Sequence, residues 1–561
     1  MSKFVIYEVL PRLFNNSNTR NKRNGSLNEN GCGKFKNFTS KALKSLKELG
    51  ATHIWYMGIL EHATCSDYSA YGIRPDHPGV VKGQAGSPYA VKDYYDVDPD
   101  LAENVDRRMK EFEALVSRTH KAGLKVIIDF VPNHVARQYA SDAKPEGIND
   151  LGQNDYPEYA FSPLNNFYYL PGENFTPQFD AKGYHEYPAK ATGNDRFSAS
   201  PDSNDWYETI KLNYGVNYVE GMQQQFDPTP DTWIKMRDIL LFWADKGIDG
   251  FRCDMAEMVP VEFWGWVIPQ IKRKHPELIF IAEIYQPDQY RNYLCNGKFD
   301  YLYDKVGMYD SLRNIMSRNH SAQNITYSWQ KLGDIADHML NFLENHDEQR
   351  IGSGFFCGSG LYAQPGMIVS VTLTRGPVMI YFGQELNELG MDSEGFSGVD
   401  GRTSIFDYWS LKSVQDWANG GSFDGGALSD EQRKLRNFYR RLLNAIHSEK
   451  AISQGVMYDL VYANLDNPNF AVHQEFAFFR KHEENLLLIV VSFHDKELHS
   501  EIRIPAEAFQ YLELEEGNQW HCKDLLDPEA SYTPVLLSSE KKFALNLQAW
   551  SGKIFKLERI K

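Results

Sequence analysis

Four short polar clusters each close an apolar, strand-like run: Asp129-Phe-Val-Pro-Asn133-His134, Gly250-Phe-Arg252-Cys-Asp254, Ala282-Glu283 and Glu344-Asn345-His346-Asp347. Carboxylates so placed suit glycosidic bond cleavage, whose oxocarbenium-like transition state needs one acid to protonate the leaving oxygen and one carboxylate facing the anomeric carbon. Asp254 and Glu283 end consecutive strand-like runs, and the ends of adjacent strands lie about 5 Å apart, near the ~5 to 5.5 Å separation of retaining glycosidases. A period of two puts Arg252 and Asp254 on one face, where the guanidinium can keep the carboxylate ionised as a nucleophile. Glu283 is expected to need the reverse: a pKa raised by burial and neighbouring carboxylates, so that it donates a proton near neutral pH. Any one cluster has an ordinary reading, since a strand-end Asp often caps a helix and a nearby Arg often forms a surface ion pair. Four at successive strand ends are harder to explain that way.

The elements that must position these groups alternate along the chain as βα units do. Strands are expected at Phe4 to Val9, Thr52 to Met57, Lys125 to Val131, Gly250 to Asp254, Leu278 to Ala282, Phe299 to Tyr303, His338 to Leu343 and Val378 to Phe382. Val105 to Lys121 and Trp233 to Lys246 carry apolar residues at helical spacing, with Gly123 and Gly247 as stops. The fold class is therefore α/β: a (β/α)8 TIM barrel, whose strand C-termini carry the chemistry. Residues 1–134 and 229–450 form the barrel in this reading, and 135–228, too long for a βα loop, an inserted subdomain after strand 3. After the helical stretch Asp430 to Ser448, the β runs Glu475 to Lys481, Asn485 to Phe493 and Ser500 to Ile504 place a C-terminal antiparallel β-sandwich at 451–561.

Composition narrows the partners. A net charge of −16 argues against nucleic acid. No apolar run approaches the ~20 residues of a membrane span. The N-terminus lacks the features of a secretory signal, and the six cysteines show no CxxC or Cys/His spacing, so a cytoplasmic protein with reduced thiols is expected. Aromatic residues at 14% offer flat apolar surfaces to sugar rings. Nothing in the sequence speaks to oligomeric state.

At the four clusters the chain resembles the α-amylase family of glycoside hydrolases, family 13, with their order and intervals preserved. The resemblance implies Asp254 as nucleophile, Glu283 as general acid/base and Asp347 as a third carboxylate gripping sugar hydroxyls. It also implies that Arg252 orients the nucleophile, that His134, His346 and a stacking Tyr89 contact the sugar, that Asp129 supports the barrel mouth, and that Arg350 matches a downstream family arginine. The implied partner is an α-1,4-linked glucan or malto-oligosaccharide, with no cofactor needed for the chemistry. Transfer to a second sugar would use the same intermediate, and a binding-only relative would be expected to have lost a carboxylate. Asn133 matches a family calcium ligand and Asn213 a second, so a structural Ca²⁺ is implied; yet Glu257 and Met258 stand where many members carry Lys-His.

Overall fold

The computed structural model describes residues 3–318, 320–396 and 398–560. Eight short apolar segments form parallel strands: β1 (Val5–Val9), β2 (His53–Tyr56), β3 (Lys125–Phe130), β4 (Gly250–Cys253), β5 (Ile279–Ala282), β6 (Tyr301–Tyr303), β7 (Met339–Leu340) and β8 (Val378–Tyr381). They pair in chain order, and β8 returns to β1 with Val5 opposite Val378, so the sheet curls into a barrel. Apolar residues on both faces of each strand are what such enclosure demands.

The seventh strand is shorter than expected. Regular pairing stops at Leu340, and closure onto β8 is a single bridge from Asn341 to Val378. Beyond it the Asn345 side chain accepts from the backbone N–H groups of Asp347 and Glu348, both at 2.9 Å, bending the chain across the barrel mouth.

Each strand feeds an outer helix: α1 (Ser40–Leu49), α2 (Arg108–Lys121), α3 (Asp231–Ala244), α4 (Val261–Lys274), α5 (Tyr290–Cys295), α6 (Asp310–Met316), α7 (Gln364–Thr372) and α8 (Asp430–Ser448). Their limits are chemical. The Thr39 hydroxyl caps α1 by accepting from Ala42 N–H, Gly50 ends it at φ 117°, and a Ser429/Gln432 capping box opens α8. The expected start of α2 at Val105 is instead a tight turn, with the helix proper from Arg108. α4 buries Phe263, Trp264, Val267, Ile268 and Ile271 against the outward face of β3 and β4, where Phe130 lies 6.1 Å from Trp264 and from Phe251.

The long β3 connection is anchored by His134–Ala136 pairing antiparallel with Thr209–Lys211, so both ends of the insert return to the barrel mouth. Buried Arg137 fastens it, donating to Tyr207 O and Thr209 O and pairing with Glu186 at 2.8 Å.

At the C-terminus come β9 (Val456–Asp459), β10 (Glu475–His482), β11 (Asn485–Ser492), β12 (Leu498–Ile502), β13 (Gln519–Asp524), β14 (Thr533–Leu536), β15 (Phe543–Leu547) and β16 (Ser551–Arg559). A six-stranded sheet, β9-β10-β11-β16-β13-β14, faces the ribbon β12-β15. Alternation divides β10 and β11 between two cores. Phe479, Leu488 and Val490 join the sandwich interior, while Phe476, Phe478, Leu487, Ile489 and Val491 join the barrel's. No described helix is long and apolar enough to cross a membrane.

Because Ile489 is fully buried on the barrel side of β11, Ile489→Ala is expected to lower unfolding stability by about 2–5 kcal/mol. Urea unfolding measures this; a change under ~0.5 kcal/mol would show that the sheet does not share the barrel core.

Candidate active site

The strand registers set Glu8 beside Trp55 and Arg252 beside Asp129, which makes a polar layer across the top of the barrel interior. Arg252 is its centre, 1% exposed, with its guanidinium carbon 5.2, 5.4 and 5.5 Å from the rings of Trp55, Tyr89 and Tyr303. Its Nη1 donates to Asp254 Oδ1 at 2.7 Å, and its Nη2 lies 2.8 Å from Glu283 Oε2. Asp129 is a support: it accepts from Trp55 Nε1 at 3.0 Å and from Tyr89 Oη at 3.4 Å, below the cleft.

Asp254 and Glu283 follow register partners, Cys253 and Ala282, on adjacent strands. One guanidinium between them keeps the carboxylates close, as retention requires. Met255 then takes left-handed backbone angles, φ 41° and ψ 43°, which few non-glycine residues adopt. That turn aims its N–H at Glu283 Oε2, 2.8 Å away, while Tyr285 Oη donates to Oε1 at 2.5 Å.

These donors act against the raised Glu283 pKa expected from the sequence. Burial and the charge of Glu283 raise Asp254 to about 8 despite Arg252. Burial also acts to raise Glu283, but Arg252, Tyr285 and the Met255 amide together hold it below the ordinary carboxylate range. The coupled carboxylates thus share one proton above the ordinary carboxylate range. Such a proton belongs to the pair rather than to either residue.

His346 is buried, yet Asp347 and Glu8 overcome that burial and raise it to about 9. Its Nδ1 meets Glu8 Oε1 at 2.6 Å, and its Nε2 lies 2.8 Å from Tyr89 Oη and 3.2 Å from Asp347 Oδ2. His134 goes the other way: burial, then Lys211 and Lys82, lower it to about 3, so it is neutral. Asp254, Glu283, Asp347, Tyr89, His134 and His346 line one pocket of about 380 Å³. Arg350 does not reach it. Fully buried, Arg350 pairs with Glu344 at 2.9 Å and donates to Phe382 O, bracing the β7 loop. A larger cavity, about 610 Å³, opens beside Lys3, Phe4 and Pro377, at the N-terminal ends of β1 and β8, away from these groups.

Sequence reasoning passed over Glu8, Tyr285, Trp206 and the Lys82–Glu208 pair. Glu8 had a signal, a lone carboxylate inside the apolar run of β1. The others lie on loops and carried none.

The calcium reading does not fit the residues present. Asn133 Oδ1 accepts from Lys211 Nζ at 2.5 Å, and that ammonium, 2% exposed, also pairs with Asp195 at 2.6 Å and lies 3.5 Å from Met258 O. Asn213 turns elsewhere, donating to Ser162 O and accepting from Gly215 N–H. Of the two amide oxygens a Ca²⁺ would use, that of Asn133 is held by a lysine and that of Asn213 by a backbone N–H, and the described residues contain no acidic, histidine or cysteine cluster able to hold a metal. Dialysis against EDTA is therefore expected to leave the melting temperature and activity unchanged. Losing a structural ion held at 100 times its Kd would instead remove about 2.7 kcal/mol, and a drop of that size restored by CaCl₂ would contradict the assignment.

Comparison with known proteins agrees with this geometry. Residues 8–409 match the family model described as alpha amylase, catalytic domain. The chain is 26% identical over 400 residues to an alpha-amylase of Streptomyces lividans, covering 66% of this chain and 41% of that protein. It is 24% identical over 479 residues to alpha-amylase 3 of Dictyoglomus thermophilum, covering 80% and 78%. A cyclomaltodextrin glucanotransferase of Bacillus sp. strain 1-1 shares 24% over 408 residues, covering 68% and 50%. The fold matches the crystal structure of the Geobacillus thermoleovorans alpha-amylase complexed with acarbose at a TM-score of 0.65 and 16% identity, covering 100% and 99%. The chain thus spans less than half of the Streptomyces protein, but residues 8–409, which hold the barrel whose mouth gathers the carboxylates, match the family model, and on that match the chain belongs to the α-amylase family of glycoside hydrolases.

Proposed function

We propose that the protein hydrolyses α-1,4-linked glucans or malto-oligosaccharides with retention, through a covalent glycosyl-enzyme. The observation that carries this reading is the Asp254–Arg252–Glu283 arrangement, two carboxylates on one guanidinium facing one pocket.

In the first step the glycosidic C–O bond breaks, Glu283 hands its proton to the departing oxygen, and an Asp254 carboxylate oxygen bonds to the anomeric carbon. Water then replaces Asp254, giving its proton to Glu283. The reaction needs the pair's single proton on Glu283. A glycosidic oxygen brought against Glu283 offers lone pairs and no proton, so it disfavours the ionised carboxylate and accepts only from the protonated acid, and the proton settles there within a pair whose total charge is unchanged. Cationic His346 and exposed Asp347 are placed to grip hydroxyl groups as charge spreads over the ring.

Two experiments test the roles. Asp254→Asn is expected to cut release of reducing sugar from maltoheptaose at least ~1,000-fold; undiminished release would remove Asp254 from the chemistry. The pH dependence follows from the shared proton. With a raised pKa of about 8, the pair keeps its proton below that value and loses it as pH rises through it, so kcat/KM falls on the alkaline side. In Glu283→Gln, assayed with α-glucosyl fluoride, whose leaving group needs no proton, that alkaline fall is expected to vanish. Its persistence would assign the limb to another group.

A further inference from the structure

The pocket has two unlike ends. In a ring of eight strands β5 stands across from β1, and β8 and β2 flank β1. The leaving group departs beside Glu283 at the end of β5, so the opposite side, built by the β8 and β2 loops, receives the non-reducing side of the bound sugar.

That side is a wall. Ala85 N–H donates to Phe406 O at 3.1 Å, which joins the two loops backbone to backbone. Arg12 ties them from beneath, donating to Gly86 O at 3.2 Å and to Ile405 O at 2.8 Å. The seam has no slack, since a Cβ on Gly83 would sit 2.2 Å from Phe406 O. Ile405 and Phe406 line the pocket from this seam.

One ion pair is set into the wall. Lys82 Nζ lies 3.0 Å from Glu208 Oε2, with side chains 10% and 5% exposed, and both residues line the pocket. The pair leaves the carboxylate with further lone pairs and the ammonium with further protons. A sugar hydroxyl can use both, donating to the carboxylate while accepting from the ammonium.

We propose that this wall stops a glucan chain from continuing past the pocket, and that Lys82 and Glu208 recognise the free 4-hydroxyl of a non-reducing terminal glucosyl unit. An internal unit has that oxygen bonded to the next sugar, so it offers no hydroxyl hydrogen and brings bulk the seam cannot admit. The enzyme is then exo-acting and trims short products from chain ends. The pocket's 380 Å³, near the small end of the ~300–1,000 Å³ range of ligand sites, agrees with a short stretch of sugar held end-on. This inference rests on the glycosidase reading above. Its alternative is that the pair only fastens the insert to the β2 loop.

The test compares maltoheptaose carrying a free non-reducing end with the same chain blocked there by a 4,6-O-ethylidene group. The wild-type enzyme is expected to cut the blocked chain at least ~100-fold more slowly. Equal rates on both would overturn the proposal while leaving the glycosidase reading intact, and failure to cut either chain would sink both. Maltotriose is then compared with its analogue lacking the terminal 4-hydroxyl, in wild type and Glu208→Gln. Wild type is expected to favour maltotriose by about 10- to 100-fold in KM, with the preference collapsing in the variant. A pair that only fastens the insert would give the two proteins the same preference, however much the variant's melting temperature falls.

Discussion

The site depends on one charge that has nowhere to go. Arg252 is sealed under the barrel mouth by Trp55, Tyr89 and Tyr303, and no solvent reaches it. A buried cation is tolerated only when anions surround it in good geometry. Glu8, Asp129, Asp254 and Glu283 do so, with cationic His346 set between Glu8 and Asp347. Anionic groups outnumber the two cations, and all of them except Asp347 are buried. Burial raises Glu8, Asp129 and Asp254 alike, the last to about 8, with the charge of Glu283 adding to the effect. Burial and the crowding of carboxylates around one guanidinium together raise the proton affinity of the site.

The rest of the barrel mouth serves this arrangement by fixing loops rather than adding chemistry. The insert returns along the His134–Lys211 pairing, and Lys211 holds Asn133, Asp195 and the carbonyl of Met258 within reach of one ammonium. It joins the insert to the loop that follows Asp254. Across the mouth, Arg12 does equivalent work for the β2 and β8 loops. Both are internal cations on long side chains whose charge is used to tie backbone segments together.

Much of this was legible in the sequence because the barrel separates its tasks along each strand. Apolar residues make the run and a polar group ends it, so Asp254, Glu283 and the His346-Asp347 cluster announce themselves. β10 and β11 were legible as strands, while their division between two cores needed the register. What stayed hidden came from long-range partners and from backbone conformation. Lys211 meets Asn133 from 78 positions away, so amides that look like metal ligands locally are already satisfied. The donors that act to lower Glu283 include the amide of left-handed Met255 and the Tyr285 hydroxyl, neither of which changes the spacing of the carboxylates. The short β7 was misjudged for a related reason: the apolar run continues to Leu343, but Asn341 ends the ladder with one bridge.

The central claim is that Asp254 bonds to the sugar while Glu283 manages the proton. Trapping the intermediate tests it most directly: the Glu283→Gln protein is incubated with 5-fluoro-α-glucosyl fluoride, and the intact chain and its peptic peptides are weighed by mass spectrometry. The account predicts one added fluoroglucosyl group, located on the peptide containing Asp254. An adduct on another carboxylate, or none despite consumption of the reagent, would contradict it.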